Sequence, residues 1–178
     1  QPLWRARAEG RDETAARDLT GWQGVEWSPD EIRLTRPGMA LTLNGIAQGY
    51  IADRVAALLA GHGLTRALID TGEMVALPEG DWPVELEAGG SLDLRNRALS
   101  TSAPLGMTFG GDGRTSHILD PRTARPVASP WRVVTVSAAS AALADALSTA
   151  ACLSEDRETL VALCRSFPSA ILEHALPV

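Results

Sequence analysis

The chain of 178 residues contains no lysine, so all 16 of its basic side chains are arginine. This absence excludes Schiff-base chemistry and general-base catalysis by lysine. A net charge of −6 and the lack of a basic stripe exclude a nucleic-acid partner, because nothing would neutralise the backbone phosphates. The apolar runs are too short to span a membrane.

Cysteine is also scarce. The two cysteines, Cys152 and Cys164, fall in a region of helical periodicity and lack the spacing of a metal site. We expect them to be buried apolar fillers, and the sequence leaves a disulfide between them open. The chain begins at Gln1, not at a methionine, and we therefore expect a processed or trimmed piece.

The apolar pattern predicts an α+β fold with a largely antiparallel mixed sheet and packed helices, in a single domain over residues 1–178. Alternation indicates a hairpin of strands 25–27 and 32–34, followed by a third strand at 39–43. The other predicted strands are 64–69, 82–87, 98–101, 115–119, 132–137 and 170–173.

Helical spacing predicts a helix that starts near residue 46 and ends at Gly61 or Gly63. Two further helices are expected at 139–153 and 155–164, and a short one near 12–19.

A carboxylate and a hydroxyl lie four residues apart in the alanine-rich second half of the chain. Asp145 and Thr149 would face the same side of a helix. Oxygen ligands of this kind suit Mg²⁺, which usually keeps waters and substrate phosphate oxygens in its shell. The alternative is structural: Asp145 caps the helix near its first turn, where the helix dipole favours it, and Thr149 only packs. Spacing alone favours the structural alternative.

A histidine precedes an Asp-Pro turn in the order His117, Asp120, Pro121, Arg122, Thr123. An imidazole with an unperturbed pKa of about 6.5 can act as a general base, and Asp120 could orient it. The alternatives are a strand-edge histidine with one hydrogen bond and an Asp120 that only closes the turn. Arg122 would pair with a phosphate or, by default, with a surface carboxylate.

Two glycine-containing turns follow predicted strands. Residues 44–50 (Asn-Gly-Ile-Ala-Gln-Gly-Tyr) join a strand to a helix, and Gly72 and Glu73 follow the next strand. Main-chain N–H groups at a helix N-terminus can bind an anion, so the first turn could approach a ligand. Tight turns and close helix packing explain the same glycines, and the residues alone do not decide between the two.

Taken in order, these segments resemble the ApbE family of flavin transferases. The family pattern runs Gly-Ile-Ala-Lys-Gly-Tyr, a Gly-Gly turn, Thr-Ser-Gly, His-Ile-x-Asp-Pro-x-Thr-Gly and Ala-Asp-Ala-x-Ser-Thr-Ala. The matching segments are 45–50, 72–73, 101–103, 117–124 and 144–150. The resemblance implies an ApbE-like fold of T-fold type that lacks much of its N-terminal portion here.

The resemblance also implies a Mg²⁺-dependent enzyme that splits FAD, releases AMP and attaches FMN through a phosphodiester to a Thr or Ser of an acceptor flavoprotein. By position, the metal ligands would be Gly45, through its carbonyl, Asp145 and Thr149. His117, with Asp120, would deprotonate the acceptor hydroxyl. The positions implied to line the flavin and diphosphate are Gly45, Ala47, Gln48, Gly49, Gly72, Glu73, Ser102, His117 and Thr123.

Some positions depart from the family pattern. Gln48 stands where most members have lysine, and Glu73 and Ala124 stand where the pattern has glycine. The sequence of these segments resembles the exported branch of the family that is tied to maturation of nitrous oxide reductase. The acceptor of that branch is a membrane protein. We therefore expect a periplasmic or exported bacterial protein with a membrane-bound acceptor.

Two other functions fit the same residues. One is a Mg²⁺-dependent FAD pyrophosphatase, in which water is the acceptor and the products are FMN and AMP. The other is a non-catalytic flavin-binding maturation protein, suggested by Gln48 and by the missing N-terminal portion.

Overall fold

The computed structural model describes residues 1–87, 89–111 and 113–178, and the chain forms two compact units. The first unit comprises Gln1–Thr42 and Leu105–Ala128, and the second comprises Leu43–Pro104 and Ser129–Val178. The α+β class with antiparallel pairing is confirmed. The single domain over 1–178 stays a prediction.

The helices are α1 (Pro2–Ala8), α2 (Thr14–Arg17), α3 (Ala47–Gly61), α4 (Ala141–Ala151) and α5 (Arg157–Arg165), with a 3-10 turn at Trp22–Gly24. The strands are β1 (Val25–Trp27), β2 (Ile32–Leu34), β3 (Leu68–Asp70), β4 (Met74–Ala76), β5 (Trp82–Glu85), β6 (Ser91–Leu94), β7 (Ala98–Ser102), β8 (Thr108–Phe109), β9 (Thr115–Ser116), β10 (Leu119–Asp120), β11 (Arg125–Pro126), β12 (Trp131–Ala138) and β13 (Ile171–Pro177). Among the described residues, no helix has the length and apolar character needed to cross a bilayer.

The first unit is built from short hairpins. Strands β1 and β2 pair antiparallel as predicted. The predicted strand at 39–43 is wrong: these residues are irregular and mostly exposed, because an alternating pattern forms no strand without a neighbouring strand to pair with. The predicted strand at 115–119 is two separate strands, since β9 pairs with β8 and β10 pairs with β11.

The second unit contains a five-stranded antiparallel sheet in the order β13-β12-β7-β4-β3. Its long strand β12 carries the β-branched residues Val133, Val134 and Val136, all essentially inaccessible to solvent. Burial on both faces explains why this strand reads as a continuous apolar run and not as an alternation. Strand β3 is shorter than the predicted strand at 64–69, and β4 and β6 were not predicted.

Small residues allow α3 to approach α4 closely. Ala52, Ala98 and Ala141 form one fully buried cluster. A Cβ added to Gly49 would lie 2.2 Å from the Ala141 carbonyl oxygen, so only glycine fits at that crossing. Gly49, the second glycine of the first predicted turn, is therefore required by helix packing.

The start of α4 is capped from two sides. Ser140 Oγ accepts a hydrogen bond from the Leu143 amide, as an N-cap side chain does. From α3, the carboxylate of Asp53 accepts bonds of 2.7 Å from the Ala141 amide and 2.9 Å from the Ala142 amide. These bonds fix the position of α4 against α3.

The cysteines are buried free thiols, as expected of apolar fillers. Burial raises the pKa of Cys152 to about 12 and also raises the pKa of Cys164. The disulfide that the sequence left open is not formed.

Candidate functional site

Helix α4 directs Asp145 and Thr149 toward the segment that begins α3. The Gly49 amide donates a hydrogen bond of 3.1 Å to Asp145 Oδ2. One turn earlier, a Cβ added to Gly45 would lie 2.9 Å from Thr149 Cγ2 and 3.2 Å from Thr149 Oγ1. The two side chains thus lie against one short segment, residues 45–49, as their four-residue spacing predicts.

The structural alternative for Asp145 is wrong in the form given above. Helix α4 begins at Ala141, and its first turn contains no acidic residue. Ser140 and Asp53 cap α4, whereas Asp145 accepts its hydrogen bond from the first turn of α3. Asp145 is therefore a link between two helices and not a cap of its own helix.

Two acidic side chains in the second unit are buried without a cationic partner. Asp145 is 4% exposed and Glu73 is 7% exposed. Burial raises the pKa of Asp145, an effect that the Gly49 amide partly offsets. Burial, with the charges of Asp145 and Asp70, raises the pKa of Glu73 to about 7. No ion pair among the described residues includes either carboxylate.

Hydroxyl groups from β7 and α4 form a continuous set of hydrogen bonds beside Thr149. Ser148 Oγ lies 3.1 Å from Ser100 Oγ and 2.8 Å from Ser102 Oγ. Ser102 Oγ lies 3.2 Å from Thr149 Oγ1. We call Ser100, Ser148, Ser102 and Thr149 the hydroxyl chain.

The two glycine turns come together in the second unit. Gly72 has φ of +98°, and its amide donates a 3.0 Å hydrogen bond to Asp70 Oδ1. A Cβ added to Gly72 would lie 3.4 Å from Nε2 of Gln48, an exposed residue in the first turn of α3. Ala47 is the first residue of that helix. The Gly72 turn and the start of α3, which the resemblance assigns to one nucleotide site, are therefore neighbours here.

The residues fit a hard divalent cation. A buried carboxylate with a raised pKa and no cationic partner is stabilised when a cation binds it. The predicted donors, the Asp145 carboxylate, the Thr149 hydroxyl and the Gly45 carbonyl, are all oxygen, the ligand type that Mg²⁺ prefers. Within the described ranges, no group of three or more His, Cys, Asp or Glu could hold a metal, so a transition-metal site of that type is not supported.

His117 lies in the first unit, between β9 and β10, and its ring has a defined tautomer. Nδ1 lies 2.9 Å from the Met107 carbonyl oxygen. A carbonyl only accepts, so Nδ1 carries the proton and Nε2 keeps a lone pair that can take one up. The His117 carbonyl accepts a 3.0 Å bond from Trp4 Nε1, which holds the backbone of the loop.

Asp120 forms the turn and does not orient the imidazole. Its Oδ1 accepts from the Arg122 amide at 2.8 Å, and its carboxylate pairs with the Arg122 guanidinium at 2.9 Å. These bonds hold the pKa of Asp120 below its usual range. The Met107 carbonyl takes the orienting role, and a catalytic role for Asp120 stays a prediction.

The end of the same loop shows why the family pattern has glycine at position 124. Ala124 has φ of 56°, a conformation that glycine adopts without strain. Thr123 is exposed, and its amide donates to the Asp120 carbonyl oxygen at 3.3 Å. A flavin contact by Thr123 stays a prediction.

Sequence reasoning missed three residues that build the site. Ser100 could have been found, because it alternates with Ser102 on one face of a strand. Ser148 lies in the matched segment 144–150, but its partners, like those of Asp53, are distant along the chain and no local pattern indicates them.

The second unit has an antiparallel sheet covered by two helices, and buried acidic and hydroxyl side chains lie where those helices meet. This arrangement defines an α+β protein with a candidate cation site. The chain belongs to the ApbE family, whose family model matches residues 3–171.

Relatives of known name agree with this assignment. A FAD:protein FMN transferase of Klebsiella pneumoniae is 35% identical over 151 residues, which cover 75% of this chain and 48% of that protein. The apo crystal structure of the Pseudomonas stutzeri flavinyl transferase ApbE matches with a TM-score of 0.72 and 32% identity, over 92% of this chain and 55% of that one. The ApbE protein of Thermotoga maritima, at 22% identity, shares the fold with a TM-score of 0.80, over 96% of this chain and 64% of that one. The chain spans about half the length of the curated relatives it matches.

Proposed function

We propose that the chain is part of a Mg²⁺-dependent flavin transferase that splits FAD and attaches FMN to a Thr or Ser of an acceptor protein, releasing AMP. The observation that carries the proposal is the approach of Asp145 and Thr149 to residues 45–49 in a chain of the ApbE family. Relatives named FAD:protein FMN transferase supply the reaction class.

Asp145, Thr149 and the Gly45 carbonyl would hold Mg²⁺. The bound ion would offset negative charge on the diphosphate and on the leaving AMP. Residues 45–49, Gly72, Glu73, Ser102 and Thr123 would line the flavin and diphosphate. The N-terminal turn of α3 suits this role, because helix N-termini favour anions.

His117 would act as the general base. Its Nε2 takes the proton of the acceptor hydroxyl, whose oxygen attacks the phosphorus of the FMN phosphate. The anhydride bond to the AMP phosphate breaks, and AMP leaves with the bonding electrons. The product is a phosphodiester between FMN and the acceptor side chain.

We further propose an exported, periplasmic protein that serves a membrane-bound acceptor in the maturation of nitrous oxide reductase. The support is the sequence of residues 44–50, together with Gly72 and Glu73, which resembles that branch of the family.

The reaction is tested by incubating the protein with FAD, Mg²⁺ and a candidate acceptor protein. AMP is measured by chromatography, and covalent flavin on the acceptor is measured by mass spectrometry. Equal yields of AMP and flavinylated acceptor are expected, and both should vanish when Mg²⁺ is chelated.

Each other outcome contradicts the proposal in a distinct way. Free FMN and AMP without a mass gain on the acceptor would identify a pyrophosphatase. FAD binding without AMP at any Mg²⁺ concentration would identify a flavin-binding maturation protein. A melting temperature unchanged by FAD would exclude binding, because a ligand specific for the native state must stabilise it.

A further inference from the structure

Ser148 is anchored on the main chain of its own helix. Its Oγ lies 3.1 Å from the carbonyl oxygen of Asp145, three residues earlier on α4. A carbonyl oxygen only accepts hydrogen bonds, so Ser148 is the donor. The side chain is fully buried, and bulk water does not compete for its hydrogen. The hydroxyl chain is therefore fixed to the main chain of Asp145, whose side chain is a proposed metal ligand.

This anchor gives the hydroxyl chain a single direction. Its four hydroxyls supply four hydrogens, and four contacts need one hydrogen each: Ser148 with the Asp145 carbonyl, Ser100 with Ser148, Ser102 with Ser148, and Thr149 with Ser102. Because the hydrogen of Ser148 lies on the carbonyl, Ser148 accepts from Ser102. Because the hydrogen of Ser102 lies on Ser148, Ser102 accepts from Thr149.

The direction of the last contact decides what Thr149 offers to a cation. Its hydrogen points to Ser102 Oγ, 3.2 Å away, and the rest of the Thr149 oxygen carries only lone pairs. A cation binds to lone pairs and is repelled by a hydroxyl hydrogen. If Ser102 donated instead, the hydrogen of Thr149 would be free to turn toward the ion. The contacts therefore hold Thr149 ready to coordinate.

We propose that Ser148 and Ser102 are positioning residues, which hold the hydrogen of Thr149 away from the cation site and keep its oxygen open to Mg²⁺. Ser148 acts only through Ser102, and Ser102 acts directly on Thr149. This inference rests on the proposed function, because it takes Thr149 to be a ligand of the ion. It also connects the two proposed side-chain ligands, since the hydrogen bonds run from Thr149 to the Asp145 carbonyl.

Ser100 is a side branch of the same set. Its hydroxyl lies 3.1 Å from Ser148 Oγ, but it does not lie between Ser148 and Thr149. While Ser148 donates to the Asp145 carbonyl, Ser102 must donate to Ser148, whatever the hydrogen of Ser100 does. Ser100 and Ser102 thus share a strand, a face and a partner, and only Ser102 reaches Thr149.

The test is calorimetric titration of Mg²⁺ into the wild type, Ser102→Ala, Ser148→Ala and the double variant. Each single variant should bind Mg²⁺ roughly 10- to 100-fold more weakly, the usual cost of losing an outer partner of a metal ligand. Because Ser148 acts through Ser102, the double variant should match Ser102→Ala within about twofold. Circular dichroism verifies that each variant is folded.

Ser100→Ala and Thr101→Val are the matched controls. Ser100→Ala removes a buried hydroxyl that contacts Ser148, so it tests for a general loosening of the site. Its stability to denaturant should fall about as much as that of Ser102→Ala, while its Mg²⁺ affinity should stay within about threefold of the wild type. Thr101 bonds to Thr135, 3.0 Å away on the opposite face of β7, so Thr101→Val should keep the affinity within about twofold.

Each contrary outcome has a separate meaning. Wild-type Mg²⁺ affinity in both Ser102→Ala and Ser148→Ala overturns the positioning role and leaves the proposed reaction untouched. A loss of affinity in Ser100→Ala equal to that in Ser102→Ala also overturns it, because the hydroxyls would then act through packing. A further loss when Ser148→Ala is added to Ser102→Ala overturns the route through Ser102. A wild type that does not bind Mg²⁺ overturns the metal site itself and this inference with it, whatever the yield of AMP.

Discussion

Asp53 and Asp145 each accept hydrogen bonds from the other's helix. Asp53, on α3, accepts from the Ala141 and Ala142 amides at 2.7 and 2.9 Å, where α4 begins. Asp145, on α4, accepts from the Gly49 amide at 3.1 Å, in the first turn of α3. This exchange fixes α3 against α4 and therefore holds residues 45–49 beside the proposed metal ligands.

Replacing Asp53 by alanine should lower the free energy of unfolding by about 1–3 kcal/mol, because two amides at the start of α4 lose their acceptor. The measurement is denaturant unfolding. The control is Asp156→Ala, which removes an exposed cap of α5 that accepts one main-chain hydrogen bond, from Thr159 at 2.7 Å. Its loss should be smaller, about 1 kcal/mol, and equal losses would contradict the role given to Asp53.

Gly49 and Gly61, at opposite ends of α3, should respond to alanine with opposite signs. A Cβ at Gly49 would lie 2.2 Å from a main-chain oxygen, whereas a Cβ at Gly61 would meet nothing within 4 Å. Gly49→Ala should destabilise the protein by about 1–3 kcal/mol through overpacking. Gly61→Ala should stabilise it by up to about 1 kcal/mol. Thermal unfolding measures both, and a neutral Gly49→Ala would contradict the observed helix contact.

Glu73 should make stability depend on pH. Its pKa is raised from 4.5 to about 7 in the folded protein. Between these values the folded state holds a proton that the unfolded state has released, so stability falls as the pH rises through this window. Glu73→Gln removes this loss and should be more stable than the wild type, by on the order of 1–3 kcal/mol, above about pH 7.

The difference between Glu73→Gln and the wild type should vanish below about pH 4.5, where the carboxyl is protonated in both states. Urea unfolding of both proteins, below about pH 4.5 and above about pH 7, measures this difference in stability. A glutamine variant that is less stable than the wild type at high pH would show that the buried charge is compensated.

His117→Ala should slow flavin transfer by roughly 10²- to 10⁴-fold, the usual effect of losing a general base. Single-turnover release of AMP in the presence of an acceptor is the measurement. His62, exposed at the end of α3, is the matched control, and its alanine variant should react at the wild-type rate. A loss below about threefold at His117 would assign it a structural role only.

Periodicity in the sequence predicted the elements whose apolar residues repeat at a regular spacing. The hairpin of β1 and β2, helix α3 and helix α4 were all expected within a few residues of their observed bounds. The strand expected at 39–43 failed because periodicity shows only that a segment can pair, and pairing needs a partner strand. Helix α1 was not predicted, because only Leu3 and Ala6 mark its buried side.

The site was predictable only in the part whose geometry follows from local spacing in the sequence. The i, i+4 spacing of Asp145 and Thr149 is local, so the sequence indicated their shared face. The cap from Asp53 and the hydroxyl chain depend on contacts between distant segments, which no local pattern reveals. The turn role of Asp120 is local and was one of the two predicted alternatives.

Binding of Mg²⁺ to the wild type and to Asp145→Asn tests the account most directly. Asparagine can still accept the Gly49 hydrogen bond, so the variant should fold, with an unchanged circular dichroism spectrum. Calorimetry should detect Mg²⁺ binding to the wild type and a loss in the variant larger than the roughly 10- to 100-fold cost of removing an outer partner. Equal affinity in the two proteins would contradict the assignment of Asp145 as a metal ligand and, with it, the proposed reaction.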